Sequence, residues 1–209
     1  AVLENAYVRA KFSPDGLISL LDKRSGLELL SGRAAGAQVM RDDSDTWSHA
    51  VVRFEDKTGE FSPVSMRILE NGSIRHSIEL ISRYGASTLR QVFTLYAEQA
   101  QIHVRLWLNW QEKRALCKLI FPLSMENPKP TVSMAYGHMP KAPDGEEQPC
   151  QGWLDASDEG RGLGIASDGV FSVSFSGATL ALTLVRSPIF AHHEPYVPQD
   201  ELFYEYTDL

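Results

Sequence analysis

Short β-rich runs, cut by turn signals about every eight to twelve residues, set the limits of what this chain can become. No stretch carries a convincing helical apolar stripe of more than about three turns. Tyr7–Phe12 alternates polar and apolar, then meets Ser13-Pro14-Asp15-Gly16, with Pro and Gly where a tight reversal needs them. Leu17–Leu21 returns, and Leu27–Leu30 follows the turn at Asp22–Gly26. Asn71-Gly72 between Val64–Leu69 and Ser73–Arg83 is the strongest short hairpin signal. Thr88–Tyr96, Ile102–Trp110 and Arg114–Pro122 continue the series, so Arg75–Pro122 reads as a meander forming one broad sheet. In Ile102–Trp110 the apolar residues share one face, while His103, Arg105, Trp107 and Asn109 read as facing a second core layer. His76, on the face of Ile78 and Leu80, reads as a hydrogen-bonded core residue.

Further strands are expected at Ala50–Phe54, Thr131–Tyr136, Gly162–Ala166, Val170–Phe175 and Leu180–Val185. Glu55–Glu60 reads as a hairpin loop and His138–Pro149 as a polar loop too charged for a core. The fold class is therefore all-β, a large antiparallel β-sandwich in one domain over residues 1–209. A chain of this length buries about 70% of its unfolded surface and needs no covalent staples. Cys117, in an apolar run, and Cys150, in a loop, read as two free thiols of a cytoplasmic protein.

Net charge is −7, from 20 Lys+Arg against 27 Asp+Glu, which argues against a nucleic-acid surface. No apolar run approaches the roughly 20 residues of a membrane span. No signal peptide opens the chain. The absence of an initiating Met and the abrupt YEYTDL ending read as a piece of a longer protein.

Two stretches concentrate chemistry. Leu180–Val185 is apolar on both faces, as a strand covered on both sides would be, and should end at Pro188. Beyond it a loop gathers Arg186, Phe190, His192, His193 and Glu194. Its plainest reading pairs Arg186 with a carboxylate and leaves the histidines capping a turn. Val39–His49 is dense in carboxylates around Trp47. Asp42-Asp43-Ser44-Asp45 lacks the Gly and downstream Glu of an EF-hand, and adjacent histidines on extended chain point to opposite sides, which suits zinc poorly. No phosphate-binding glycine loop or nucleophile elbow is present. Glycoside hydrolysis needs two carboxylates about 5–10 Å apart. Asp42, Asp43, Asp45, Glu146, Glu147 and Glu194 supply candidates without a spacing that selects a pair. The recurring theme of aromatic, carboxylate and His or Arg (Asp45/Trp47/His49, Tyr136/His138, Arg186/Phe190/His192) suits sugars.

Several of these words, in their order, resemble a known family. They are DDSDTWSH (Asp42–His49), YGASTLRQ (Tyr84–Gln91), LNWQEKRALCKLIFP (Leu108–Pro122), AYG (Ala135–Gly137), DGEEQPCQGWLD (Asp144–Asp155) and LTLVRSPIFAHHEP (Leu182–Pro195). Together with the opening Leu3–Leu30 they resemble the C-terminal β-domain of bacterial α-mannosidases of glycoside hydrolase family 38, over nearly the whole chain. The resemblance implies the supersandwich fold shared with galactose-mutarotase-like domains. It also implies an accessory domain, not catalytic alone, of a zinc-dependent retaining α-mannosidase, in which the zinc ligands and the nucleophilic Asp lie on N-terminal catalytic and helical domains outside this chain. It implies a bacterial cytoplasmic homo-oligomer acting on terminal α-mannosides, and a domain here lacking its last strands. Within this chain no residue is expected to be catalytic or to bind metal. Asp45, Trp47 and His49 are expected to face the sugar, with Arg186, His192 and His193 as second candidates. The alternatives are a free-standing mutarotase-like epimerase, using Glu112 or Glu147 with His76 or His138, or a carbohydrate-binding module, which would need Trp107 and Trp153 exposed.

Overall fold

A computed structural model describes residues 1–49 and 51–189. Among them every regular element is a strand. In chain order these are β1 (Val2–Glu4), β2 (Val8–Ser13), β3 (Gly16–Asp22), β4 (Leu27–Glu28), β5 (Gly36–Arg41), β6 (Lys57–Glu60), β7 (Ser62–Asn71), β8 (Arg75–Tyr84) and β9 (Ser87–Tyr96). The second half adds β10 (Ile102–Asn109), β11 (Ala115–Pro122), β12 (Lys129–Met134), β13 (Gly137–Pro140), β14 (Asp144–Pro149), β15 (Trp153–Ser157), β16 (Gly162–Ala166), β17 (Ser172–Ser176) and β18 (Thr179–Ser187). They form four sheets, ordered β1-β2-β3-β4, β10-β9-β8-β7, β14-β17-β18-β11-β5-β6 and β13-β12-β15-β16. Every pairing between these strands is antiparallel, as the turn spacing requires. No helix among the described residues is long and apolar enough to cross a membrane.

One core serves all four sheets. It joins Leu3, Ala10 and Phe12 to Ile78, Leu89 and Phe93, to Cys117, Val173 and Leu180, and to Val132, Leu154 and Ala156. Phe12 and Phe93 meet with ring centroids 4.9 Å apart and planes tilted by 58°, within the contact range of favourable aromatic pairs. Strand β18 lies between β17 and β11, and Leu180, Ala181 and Leu182 are all buried. A strand buried on both faces needs side chains without alternation, and the run Leu180–Val185 supplies them. It ends at Ser187, before Pro188, which has no N–H for the ladder.

Several boundaries differ from the sequence reading. The sheet expected over Arg75–Pro122 is divided: β8–β10 join β7 in their own sheet, and β11 crosses to the six-stranded one. The crossing is made at Trp110–Arg114, where Arg114 takes φ +49° and the Trp110 indole donates to Ser187 Oγ at 3.0 Å. Residues 51–54 are not a strand, and Lys57–Glu60, expected to be a loop, pairs with β5. The 51–54 segment is held instead against β14, where Glu147 N donates to Val52 O at 2.8 Å and Arg53 bonds Asp144 O and Glu146. His138–Pro149 yields β13 and β14, because exposed edge strands tolerate charge that a core would not. The Asn71–Gly72 hairpin forms, but Asn71 pairs with His76 across residues 72–75, a wider loop than a two-residue turn.

The outer face of β8–β10 is a charged row, not a second core layer. Glu79 is clamped between Arg67 and Arg90, and Arg90 lies 4.1 Å over the Trp107 ring. Trp107, Arg105, His103 and Asn109 are exposed. Guanidinium stacking gives Trp107 the partner that an apolar layer would have given. His76 is half-buried at the hairpin end. Both cysteines are buried and free. Burial pushes the Cys117 thiol up to about 12.

Candidate functional site

The segment 42–56 joins β5 to β6 without regular strand pairing, and a connection this long is uncommon unless it carries a function. Its conformation starts from Asp42. Asp42 N donates to Arg114 O at 2.8 Å, and its carboxylate accepts from Ser44 N at 3.1 Å and from Ser44 Oγ. This is the local turn that Asp offers its own backbone. The same carboxylate, fully buried, takes Nε of Arg186.

Arg186 is on β18 rather than in the loop expected to follow it. Its Nη2 donates to Ser44 Oγ and Asp45 O, both at 2.7 Å, and its Nη1 to Thr46 O at 3.2 Å. Its guanidinium also lies 5.2 Å from the Phe54 ring centre. One rigid strand residue therefore uses its planar fork to fix four loop positions, 42, 44, 45 and 46. The expectation that Arg186 pairs with a carboxylate holds, and the partner is Asp42.

The second half of the loop is organised by Asp45, whose side chain is fully buried. Its Oδ1 accepts from Trp47 N at 3.1 Å, and its Oδ2 meets His49 Nδ1 at 2.8 Å. Ser48 takes φ +55°, and Ser48 N donates to Asp45 O at 2.9 Å. Asp45 also forms a parallel bridge with Ile189, and Thr46 Oγ1 donates to Ile189 O at 3.1 Å. A buried carboxylate beside Nδ1 fixes the imidazole orientation and keeps the proton on that nitrogen. Trp47, 65% exposed, stands out of this braced turn. The loop thus presents an open aromatic face and a carboxylate-braced imidazole, the pieces needed to stack and hydrogen-bond a polar ring.

Of the residues expected at a site, the fold brings Asp45, Trp47, His49 and Arg186 into one cluster, while His192 and His193 lie outside the described residues. Asp42, Ser44 and Phe54 belong to the cluster and were not singled out as its members. The Asp-x-Ser spacing of a side-chain-closed turn was the readable signal for the first two. Beside the cluster is a shallow cleft of about 250 Å³ lined by Asp42, Asp43, Ser44, Arg53 and Phe54.

Three of the residues an epimerase would use, Glu112, Glu147 and His138, are engaged elsewhere. Glu112 accepts from Ser87 Oγ at 2.8 Å, and Glu147 is bonded by Ser172 and Thr183 and pairs with buried Lys118. His138 packs on Trp153 with centroids 6.1 Å apart. Among the described residues no group of three or more His, Cys, Asp or Glu is placed to hold a metal ion.

Residues 3–194 match the model of the glycosyl hydrolases family 38 C-terminal domain. Similar proteins include alpha-mannosidase 2C1 of Homo sapiens, 25% identical over 202 residues, and alpha-mannosidase G of Dictyostelium discoideum, 21% identical over 209. These alignments cover 89% and 90% of this chain but 19% of each relative, so the chain spans about a fifth of their length. Two crystal structures share the fold. An alpha-mannosidase from Enterococcus faecalis V583 matches with TM-score 0.76 at 14% identity, covering 90% of this chain and 26% of that one. A glycosyl hydrolase family 38 protein from Enterococcus faecalis matches with TM-score 0.80 at 15% identity, covering 96% and 28%. With its four antiparallel sheets and a family match over nearly its whole length, this chain belongs to the glycosyl hydrolases family 38 C-terminal domain family.

Proposed function

We propose that this chain is the accessory β-domain of a zinc-dependent, retaining α-mannosidase that removes terminal α-mannosyl residues. It packs on catalytic and helical domains of the same polypeptide and lends the 42–49 loop to the wall of their sugar site. The observation that carries this reading is the Arg186–Asp42 node, which pins the loop so that Trp47 and His49 are held outward. Trp47 stacks the apolar face of the sugar, and His49, braced by Asp45, bonds a hydroxyl. Asp45 acts through the turn it closes, so its part in sugar binding is positioning. The zinc of the full-length enzyme is assigned by the family resemblance to its catalytic and helical domains, and among the described residues no donor set for it is present.

In the full-length enzyme, Trp47→Ala is expected to lower kcat/KM on an aryl α-mannoside about tenfold, the loss of about 1.4 kcal/mol. Asp45→Ala should cost a similar amount, with the effect mainly in KM. Unchanged kcat/KM in both would overturn the loop's role. This chain alone should not hydrolyse the substrate, with or without added zinc.

The same reading includes a sandwich completed by further strands. Its support is the apolar side chains left uncovered on the β7–β8 hairpin, Ile68 at 62% exposure opposite Ile78 and Ile74 at 74% in the connecting loop. It also includes a bacterial cytoplasmic home, supported by the two buried free thiols, and a homo-oligomer, whose test is the mass of the full-length protein by light scattering.

A further inference from the structure

The β13-β12-β15-β16 sheet carries a second arrangement of aromatic and polar side chains, on a different sheet from Arg186. Strand β15 alternates: Leu154 and Ala156 enter the core, so Trp153, Asp155 and Ser157 share the outward face. Across from them on β16 stand Ala166, Gly164 and Gly162, paired with Trp153, Asp155 and Ser157 respectively. A run of the smallest side chains beside an indole leaves nothing of its height to cover it, and Trp153 is 41% exposed. On the other flank, Ser133 Oγ accepts from Trp153 N at 3.0 Å, and His138 packs against the indole at 41°.

Asp155 lies one pleat further along this face, about 7 Å from Trp153 at two residues' rise. Its carboxylate leans toward β16, where Cβ atoms built on Gly162 and Gly164 would sit 3.6 and 3.8 Å from its Oδ1. It has no hydrogen-bond or ion-pair partner among the described residues. A half-buried acceptor without a partner, one pyranose length from an open indole, is complementary to a ring with one apolar face and hydroxyls at its edge. The Trp107 ring is also exposed, but the Arg90 guanidinium already lies over it.

We propose that Trp153, with Asp155 and His138, forms a carbohydrate-binding platform that takes a pyranose residue of an α-mannan chain. The indole stacks on the C–H face of the sugar, Asp155 accepts from its hydroxyls, and His138 bounds the subsite on the β13 side. The choice of mannan rests on the mannosidase reading; the platform itself rests on the geometry of this sheet.

The test is affinity electrophoresis of the full-length protein through native gels containing branched α-mannan, alongside kcat/KM on an aryl α-mannoside. Wild type and Trp107→Ala should be retarded equally. Trp153→Ala and Asp155→Asn should each weaken retardation, the former at least tenfold, with aryl mannoside hydrolysis unchanged. Wild type unretarded by mannan, or Trp153→Ala and Asp155→Asn both retarded like wild type, overturns the platform. Should Trp153→Ala fail to fold, Asp155→Asn, a near-isosteric change on the same face, decides alone. Trp153-dependent retardation without aryl mannoside hydrolysis would sink the mannosidase reading and leave the platform standing.

Discussion

Glu79 shows how a single side chain on an open sheet face is kept charged. The Arg67 guanidinium bonded to its carboxylate, with Arg90 on the other oxygen, holds the Glu79 carboxyl below the usual range, against the burial that would raise it. A carboxyl depressed in the folded state stabilises fully above its unfolded pKa of about 4.3, and the contribution fades as pH falls through the lower native value. Urea unfolding of wild type and Glu79→Gln should therefore differ at pH 7 and converge as the pH is lowered toward 3. A gap that stays constant or widens on acidification would show that Glu79 is not the charged partner of the two arginines. Arg186 works by the same chemistry at another place, pairing with the Asp42 carboxylate, and its further bonds to the carbonyls of Asp45 and Thr46 make it set the loop's shape as well.

At the scale of elements, β18 is the one the others depend on. It pairs with β11 on one side and β17 on the other, and buries Leu180 completely. Leu180→Ala should cost roughly 2–5 kcal/mol, from lost transfer energy and the cavity left behind. A shift in the urea midpoint at unchanged slope would report it, and a loss below about 1 kcal/mol would mean that the sheet closes over the gap. The β8–β9 turn is similarly specified: Gly85 takes φ +53°, and a Cβ there would lie 2.6 Å from Glu112 Oε1. Tyr84-Gly85-Ala86-Ser87 was readable as a turn. The positive φ favours Gly at position 85, while the carboxylate that closes the turn, accepting from Ala86 N and Ser87 Oγ, comes from Glu112, beyond β10.

At the scale of the whole molecule, four sheets share one set of buried side chains rather than four small cores. Gln91 Nε2 donates to Ala35 O at 3.0 Å, and Ala35 N to Ile120 O at 2.8 Å, which ties the β7–β10 sheet to the six-stranded one through a loop. A shared core predicts one cooperative transition in this chain, with tryptophan fluorescence and far-ultraviolet circular dichroism giving coincident urea curves. Separate midpoints would divide the chain into independently folding parts.

The sequence by itself determined the class of fold, because period-two patterning and turn residues act over a few neighbouring positions. It also carried the hairpin at Asn71-Gly72, the doubly buried run Leu180–Val185, the stop at Pro188 and the words by which the family is read. Partnership across distance was decided by the tertiary structure. Nothing local could say that Lys57–Glu60 pairs with β5 while 51–54 does not, or that β11 leaves the meander, since edge pairing depends on which strand arrives alongside. Likewise the sequence offered Arg186 and a field of carboxylates, and only the fold chose Asp42. Residues far apart along the chain met there because β18 and the end of β5 flank the same strand, β11, and the fully buried Asp42 carboxylate requires a cationic partner where it lands.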